Sequence, residues 1–142
     1  MINRLLLVLL ATLLAVAAIL QGARGIRRLN ANQALKTVET VTARVATLGS
    51  AGHGALAKNL LVLQRAQRDD PSNAALPLAR GAQYLLLRRT AEAEAAYREA
   101  LRLEPRAEVY LNMGRALWLS GQREPARSMF RSAVALYPRF EK

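Results

Sequence analysis

Cysteine is absent from these 142 residues, and histidine occurs once, as His53. The first absence removes disulfides, thiolate metal sites and cysteine nucleophiles. The second removes any multi-histidine metal cluster and any histidine pair for acid–base work. Aromatic residues are scarce at 5%, so the 52% hydrophobic content is carried by Leu, Ala and Val, types more compatible with helix than with strand. Neither a G-x-x-x-x-G-K-[ST] phosphate loop nor a strand-borne G-x-G-x-x-G occurs. Ser50 near His53 is the one imaginable nucleophile–base pair, and it stands in a glycine-rich stretch with no rigid support. Asp69-Asp70 before Pro71 reads as a helix stop rather than an acid pair. No catalytic site, cofactor or metal is expected, and binding is the chemistry that remains.

Acidic residues are missing from positions 1–30, which hold Arg4, Arg24, Arg27 and Arg28. Between these arginines, Leu5 to Leu20 is an apolar run in which only Thr12 is polar. The nineteen uncharged residues from Leu5 to Ala23 rise roughly 28 Å as a helix, enough to cross a hydrocarbon core if the flanking arginines snorkel. A cleaved signal peptide with Ala15-Val16-Ala17 as its small-residue site is the competing reading. The apolar run continues past that site through Ile19 and Leu20, which favours an anchor over residues 1–23. Arg24, Arg27 and Arg28 form an unopposed cluster suited to anionic headgroups. They outweigh Arg4 and the α-amine, so the positive-inside rule leans the rest of the chain to the cytoplasmic face, with the periplasmic face as the alternative. Further along, arginines alternate with Glu92, Glu94, Glu99, Glu104 and Glu108, as on solvated helix faces, which argues against nucleic acid as a partner.

Apolar residues at spacings of three and four predict a helix from Asn30 to Leu48, through Leu35, Val38, Val41 and Val45. Three glycines between Gly49 and Gly54 break it, and a second helix is expected from about Ala55 to Arg68. Residues 24–71 therefore read as a helical linker or degenerate repeat. Beyond Ser72 the chain repeats, with 74–105 matching 107–138 at an offset of 33 residues. Gly81 pairs with Gly114, Ala93 with Ala126, Tyr97 with Phe130, Ala100 with Ala133 and Pro105 with Pro138. Glycine costs about 1 kcal/mol relative to alanine in a helix interior, so Gly81 and Gly114 imply a close helix approach. Ala93 and Ala126 are the small residues expected to meet them, with Tyr97 and Phe130 filling a wider gap one turn on. Pro77 and Pro125 suit first turns, where a missing N–H had no partner.

This pattern resembles the tetratricopeptide-repeat (TPR) family, most closely from Ala107 to Trp118, with Gly121 at the turn and Ala126, Phe130, Ala133 and Pro138 after it. The earlier unit departs from the family: Pro77 replaces an aromatic, Arg80 an apolar residue and Arg88 the turn glycine. A further degenerate helix is suggested by Ala66 and Pro71, 34 residues before Ala100 and Pro105. With the apolar segment read as an N-terminal transmembrane helix, the resemblance implies an all-α chain in which that helix is followed by a short α-solenoid of helix–turn–helix units.

The resemblance also implies a concave face lined by each unit's first helix. By position that face holds Leu78, Ala82, Leu85, Leu111, Asn112, Arg115, Trp118 and Leu119. The family's two-carboxylate clamp is disfavoured, because Leu78, Ala79 and Ala82 stand at its first ligand positions and only Asn112 fits. An apolar groove with one arginine points to a hydrophobic helix or strand as ligand. Alternatively, Trp118 and these leucines pack on the chain's own residues 30–48. A capping helix is usual after the last TPR unit, and only four residues follow Pro138. Met129, Phe130, Ala133, Leu136, Tyr137 and Phe140 are thus expected at an interface with a second copy or a partner helix. Together these features suggest a scaffold or adaptor in an envelope assembly, secretion or biosynthesis system. Eighteen arginines against three lysines point to a bacterial source, hence to its inner membrane.

Overall fold

The computed structural model describes residues 2–48 and 52–137, and the side chains of 9–45 and 52–137. These residues form six helices and no strand: α1 (Ile2–Leu48), α2 (His53–Asp69), α3 (Ala75–Leu86), α4 (Thr90–Leu103), α5 (Ala107–Leu119) and α6 (Arg123–Leu136). Each packs on its sequence neighbours, which makes three successive helical hairpins stacked as a short solenoid.

The anchor segment and the helix expected from Asn30 are one helix, α1, of 47 residues. No helix end falls near residue 23. Gly22 and Gly25 lower local helix propensity, but no proline or capping side chain stands between Gln21 and Asn30 to end the helix. Its first half carries Leu9, Leu13, Val16 and Ile19 exposed on all sides. Its second half buries Ala31, Val38 and Val45. Ala31 and Val38 join Leu63, Ala66 and Leu76 in a core shared with α2 and α3. Gly52 admits the end of this hairpin, since a Cβ there would overlap the Val45 side chain.

The two later hairpins repeat each other closely. Pro77 and Pro125 are both third residues of their helices, in the first turn as expected. The close contact inside each hairpin differs from expectation. A Cβ on Gly81 would run into the Tyr97 ring, and one on Gly114 would lie 2.5 Å from Phe130 Cε1. The aromatic rings, rather than Ala93 and Ala126, therefore lie on the glycines. Those alanines are fully buried in the shared core of α3–α6 beside Val109, Met113, Ala116 and Leu117.

Both hairpin turns close identically. Arg89 N–H donates to Tyr84 O, and Gln122 N–H to Leu117 O, each at 2.9 Å. Bonds spanning fewer residues run from Arg88 N–H to Leu85 O (3.0 Å) and from Gly121 N–H to Trp118 O (3.1 Å). This is the Schellman arrangement, which requires a left-handed residue after the helix. Gly121 takes it at φ +85°, and Arg88 takes it at φ +59° without being glycine.

Two polar bridges join the first hairpin to the repeats. Asn59 Nδ2 donates to Gln83 Oε1 at 3.1 Å and to Thr42 Oγ1 at 3.3 Å, and Gln83 Nε2 donates to Thr42 Oγ1 at 3.0 Å. Asn59 and Gln83 are buried, so this triad pins α1, α2 and α3 together. Nearby, Arg80 Nη1 donates to Gln67 Oε1, and Gln67 Nε2 donates to Glu99 Oε1 at 2.6 Å. Arg80 also lies 3.7 Å from Glu99 Oε2. The family-atypical arginine thus has partners from α2 and α4.

Candidate partner-binding face

Leu111, Arg115 and Trp118 recur at four and three residues along α5 and so share one face. Leu111 is 47% exposed and Trp118 43%, high values for apolar side chains of this size, and Leu119 beside them is also exposed. Asn112 is half-buried at the edge of this face. Arg123 lies over the Trp118 ring, its guanidinium carbon 3.7 Å from the centroid. This cation–π contact steadies an indole that nonetheless remains exposed to solvent. Helix α1 makes no contact with α5 among the described residues, so Trp118 does not pack on residues 30–48.

On α3, Leu78 and Leu85 are half-buried and Ala82 is exposed. Leu78 and Leu85 pack against the core that Val109, Met113 and Leu117 of α5 help to form. They are therefore less available to a ligand than expected. Their counterparts 33 residues on are Leu111 and Trp118, the positions left open.

The expected groove and the expected C-terminal interface meet in one surface. Leu111 shares a cleft of about 490 Å³ with Ala107, Glu108, Ala133, Val134 and Tyr137. Trp118 shares another of about 310 Å³ with Arg115, Leu119 and Phe130. Both clefts run between α5 and α6. Leu136 and Tyr137 are exposed, whereas Met129 and Phe130 are half-buried and Ala133 is buried, so the bare patch is narrower than the sequence implied. Phe130 is drawn inward by its seat on Gly114. Phe140 lies outside the described residues. A third cleft, about 400 Å³, opens between α1 and α3 beside Leu35, Glu39, Ala79 and Ala82. Nothing in the linear pattern marks Glu39 and Ala79 as neighbours, because they come together only when α3 folds against α1.

Among the described residues no group of three metal-ligating side chains comes together. His53 is exposed at the start of α2, and Ser50 lies outside the described residues. Burial raises the Tyr97 hydroxyl well above the ordinary tyrosine range, and the Arg115 charge opposes this more weakly. That hydroxyl has no hydrogen-bond partner among the described residues. The Arg89 side chain, hydrogen-bonded to the Glu92 carboxylate, lowers its pKa at the start of α4. Arg24, Arg27 and Arg28 are exposed on α1, and the Arg4 side chain lies outside the described set. The apolar part of α1 is long and apolar enough to cross a membrane, a property that a signal sequence shares.

Comparison with known proteins agrees with this geometry. The family profile for the tetratricopeptide repeat matches residues 80–106 and 107–140. No curated protein gives a significant match. Among solved structures, a thermophilic TPR protein of Thermus thermophilus is 27% identical with a TM-score of 0.63, over 77% of this chain and 66% of that one. The first TPR of Spaghetti (RPAP3), bound to the HSP90 peptide SRMEEVD, is 22% identical with a TM-score of 0.62, over 76% of this chain and 82% of that one. MamA is 22% identical with a TM-score of 0.58, over 61% of this chain and 51% of its own. The chain thus spans a little under two thirds of the Thermus protein and about half of MamA.

Proposed function

Residues 80–140 carry tetratricopeptide repeats, which generally mediate protein–protein interaction, and from that premise we propose that this chain is a membrane-anchored adaptor. It holds an amphipathic helix of a partner protein in the clefts between α5 and α6. The observation that carries this reading is the internal repeat. In the first unit, Leu78, Leu85, Ala100 and Leu101 lie against the core that α5 completes. In the second unit their counterparts Leu111, Trp118, Ala133 and Val134 line open clefts. A surface shaped to receive α5 in one unit is shaped to receive a similar helix in the next. Such a helix presents long apolar side chains at the spacing of Val109, Met113 and Leu117, with Trp118 as the aromatic anchor.

The HSP90-type peptide seen on the RPAP3 relative is a poor ligand for this face. The α3 positions that would meet its carboxylates are Leu78, Ala79 and Ala82, which supply no cation. A second copy of the chain is the alternative occupant, through α6 against α6.

The apolar half of α1 is the anchor in this reading. The apolar run continues past Ala15-Val16-Ala17 through Ile19 and Leu20, which favours retention over cleavage. The setting is a bacterial inner membrane, with the repeats on the cytoplasmic side by the arginine balance and an assembly, secretion or envelope-synthesis complex as context.

Trp118 is the one tryptophan of the chain and reports on its own cleft. Titration of the full-length protein in detergent with an amphipathic, apolar-faced helical peptide is expected to shift and enhance Trp118 emission, while SRMEEVD leaves it unchanged. A response to SRMEEVD without one to apolar helices would reject this ligand class.

A further inference from the structure

The seam by which α1 packs on its neighbours has a regular spacing. Val45, Thr42, Val38, Leu35 and Ala31 follow one another at three and four residues, all buried or half-buried. Continued at the same spacing, the seam reaches Arg28 and then Arg24, with Arg27 alongside. The packing face thus changes from apolar to cationic within one helical turn, and the helix does not end there. The arginines lie on the side of α1 that α2 and α3 overhang.

Helix α2 runs antiparallel to α1, with Gly52 against Val45 and Asn59 reaching the Val38 carbonyl at 3.5 Å. This register brings the α2–α3 turn down to about the level of Arg27 and Arg28. Two acids lie in that turn. The Asp70 carboxylate accepts from Ser72 Oγ at 3.1 Å and from Asn73 Nδ2 at 3.4 Å, and Asp69 is exposed. Arg27 Nε donates to the Ala23 carbonyl at 3.3 Å. Arg24 and Arg28 have no ion-pair partner among the described residues. Three cations therefore gather one to two turns past Leu20, where the apolar run ends.

We propose that Arg24, Arg27 and Arg28 form a docking site for anionic phospholipid headgroups, which selects the side toward which the α1 stalk leans. This rests on the reading of the apolar half of α1 as a membrane span. Guanidinium groups suit phosphate oxygens, and an anionic surface attracts juxtamembrane arginines. Because all three lie on the solenoid's side of α1, level with or below its lowest turn, their attraction pulls that edge down. The α2–α3 and α4–α5 turns then face the bilayer and the α5–α6 turn points away. Helical continuity transmits this stance to the repeats without a flexible linker.

The chain has no native cysteine, so single labels are clean. The experiment places a donor dye on Ser72→Cys or Ser120→Cys in full-length protein and an acceptor on the lipid headgroups. Vesicles of mixed phosphatidylglycerol and phosphatidylcholine are compared with pure phosphatidylcholine. Energy transfer is expected to be stronger from position 72 than from 120, with a gap that widens in the anionic vesicles and narrows with added salt. Combined Arg24→Gln, Arg27→Gln and Arg28→Gln should abolish the widening while the protein still floats with vesicles after alkaline washing. An equal gap in both vesicle types, or one indifferent to the glutamine changes, overturns the headgroup site and leaves the span intact. Restoration of the anionic-vesicle gap by inorganic phosphate on neutral vesicles overturns it in favour of a free-anion site. Failure to float at all rejects the span itself, and the headgroup site with it.

Discussion

A methyl group added to Gly114 tests the repeat geometry where it is tightest. Its carbon would lie 2.5, 2.7 and 3.1 Å from Phe130 Cε1, Cδ1 and Cζ. Carbon atoms prefer separations of about 3.5–4.0 Å, so the ring or the helix must retreat by roughly 1 Å. Phe130 also lines the cleft beside Trp118, and a ring that moves into it gives up its seat on Gly114. Overpacking of this kind costs about 1–3 kcal/mol, offset by about 1 kcal/mol because alanine is the better helix former. Gly114→Ala should therefore destabilise by a net of about 0–2 kcal/mol, and the 2.5 Å overlap with the ring places it toward the upper end, a large fraction of what holds so small a domain together. Urea unfolding of the full-length protein in detergent, followed by Trp118 emission and checked by far-ultraviolet circular dichroism, reads the loss as a lower midpoint at unchanged slope. Phe130→Leu in the same background should recover part of it, as expected for a pair in contact. An unchanged or raised midpoint in the single variant would refute the glycine–ring contact.

Arg88→Gly should stabilise by about 1 kcal/mol, read as a higher urea midpoint, because it relieves a left-handed residue that its counterpart Gly121 occupies without strain. Tyr97→Phe should stabilise by about 1 kcal/mol, since it deletes a buried hydroxyl without a partner and Phe130 fills the equivalent place with a bare ring. The same tyrosine sets an alkaline limit. Its folded pKa is raised, so the unfolded chain loses that proton first, and stability falls as pH climbs above about 10. Tyr97→Phe should remove that part of the fall, as seen in melts taken across the range. Asn59→Leu should cost about 1–3 kcal/mol by leaving the buried Gln83 Oε1 without its donor, while Thr42 keeps its bonds to Gln83 Nε2 and the Val38 carbonyl. Hydrogen exchange should then quicken over residues 31–45 before it does in α5 and α6.

Much of this architecture is written in spacing. The 33-residue offset, the paired glycines and the first-turn prolines give the two repeat hairpins almost to their boundaries. Other features depend on distances that spacing does not encode. Glycine is met by the ring four residues beyond the alanine, because the ring reaches across the helix gap and the alanine does not. Asn59, Gln83 and Arg80 look like solvent-facing residues in a linear reading, yet each bridges helices that are distant in sequence. The continuity of α1 is hidden in the sequence because glycine suggests a break where nothing else enforces one. The candidate groove and terminal patch read as separate, since Leu111 and Tyr137 are far apart along the chain. Their shared cleft follows only once α6 folds back on α5. The partner itself leaves no trace in spacing, because an apolar cleft specifies a shape and a periodicity rather than a sequence.

Site-specific photo-crosslinking in intact membranes tests the central claim most directly. A photoreactive residue at Leu111 sits inside the α5–α6 cleft, and one at the exposed Ala95 sits on the outer side of α4. The account predicts a discrete adduct with a partner helix from position 111 and none from 95. Trp118→Ala should weaken that adduct by the equivalent of about 2 kcal/mol, roughly 30-fold, with helical content unchanged. No adduct from 111, or equal adducts from both positions with and without Trp118, would contradict it.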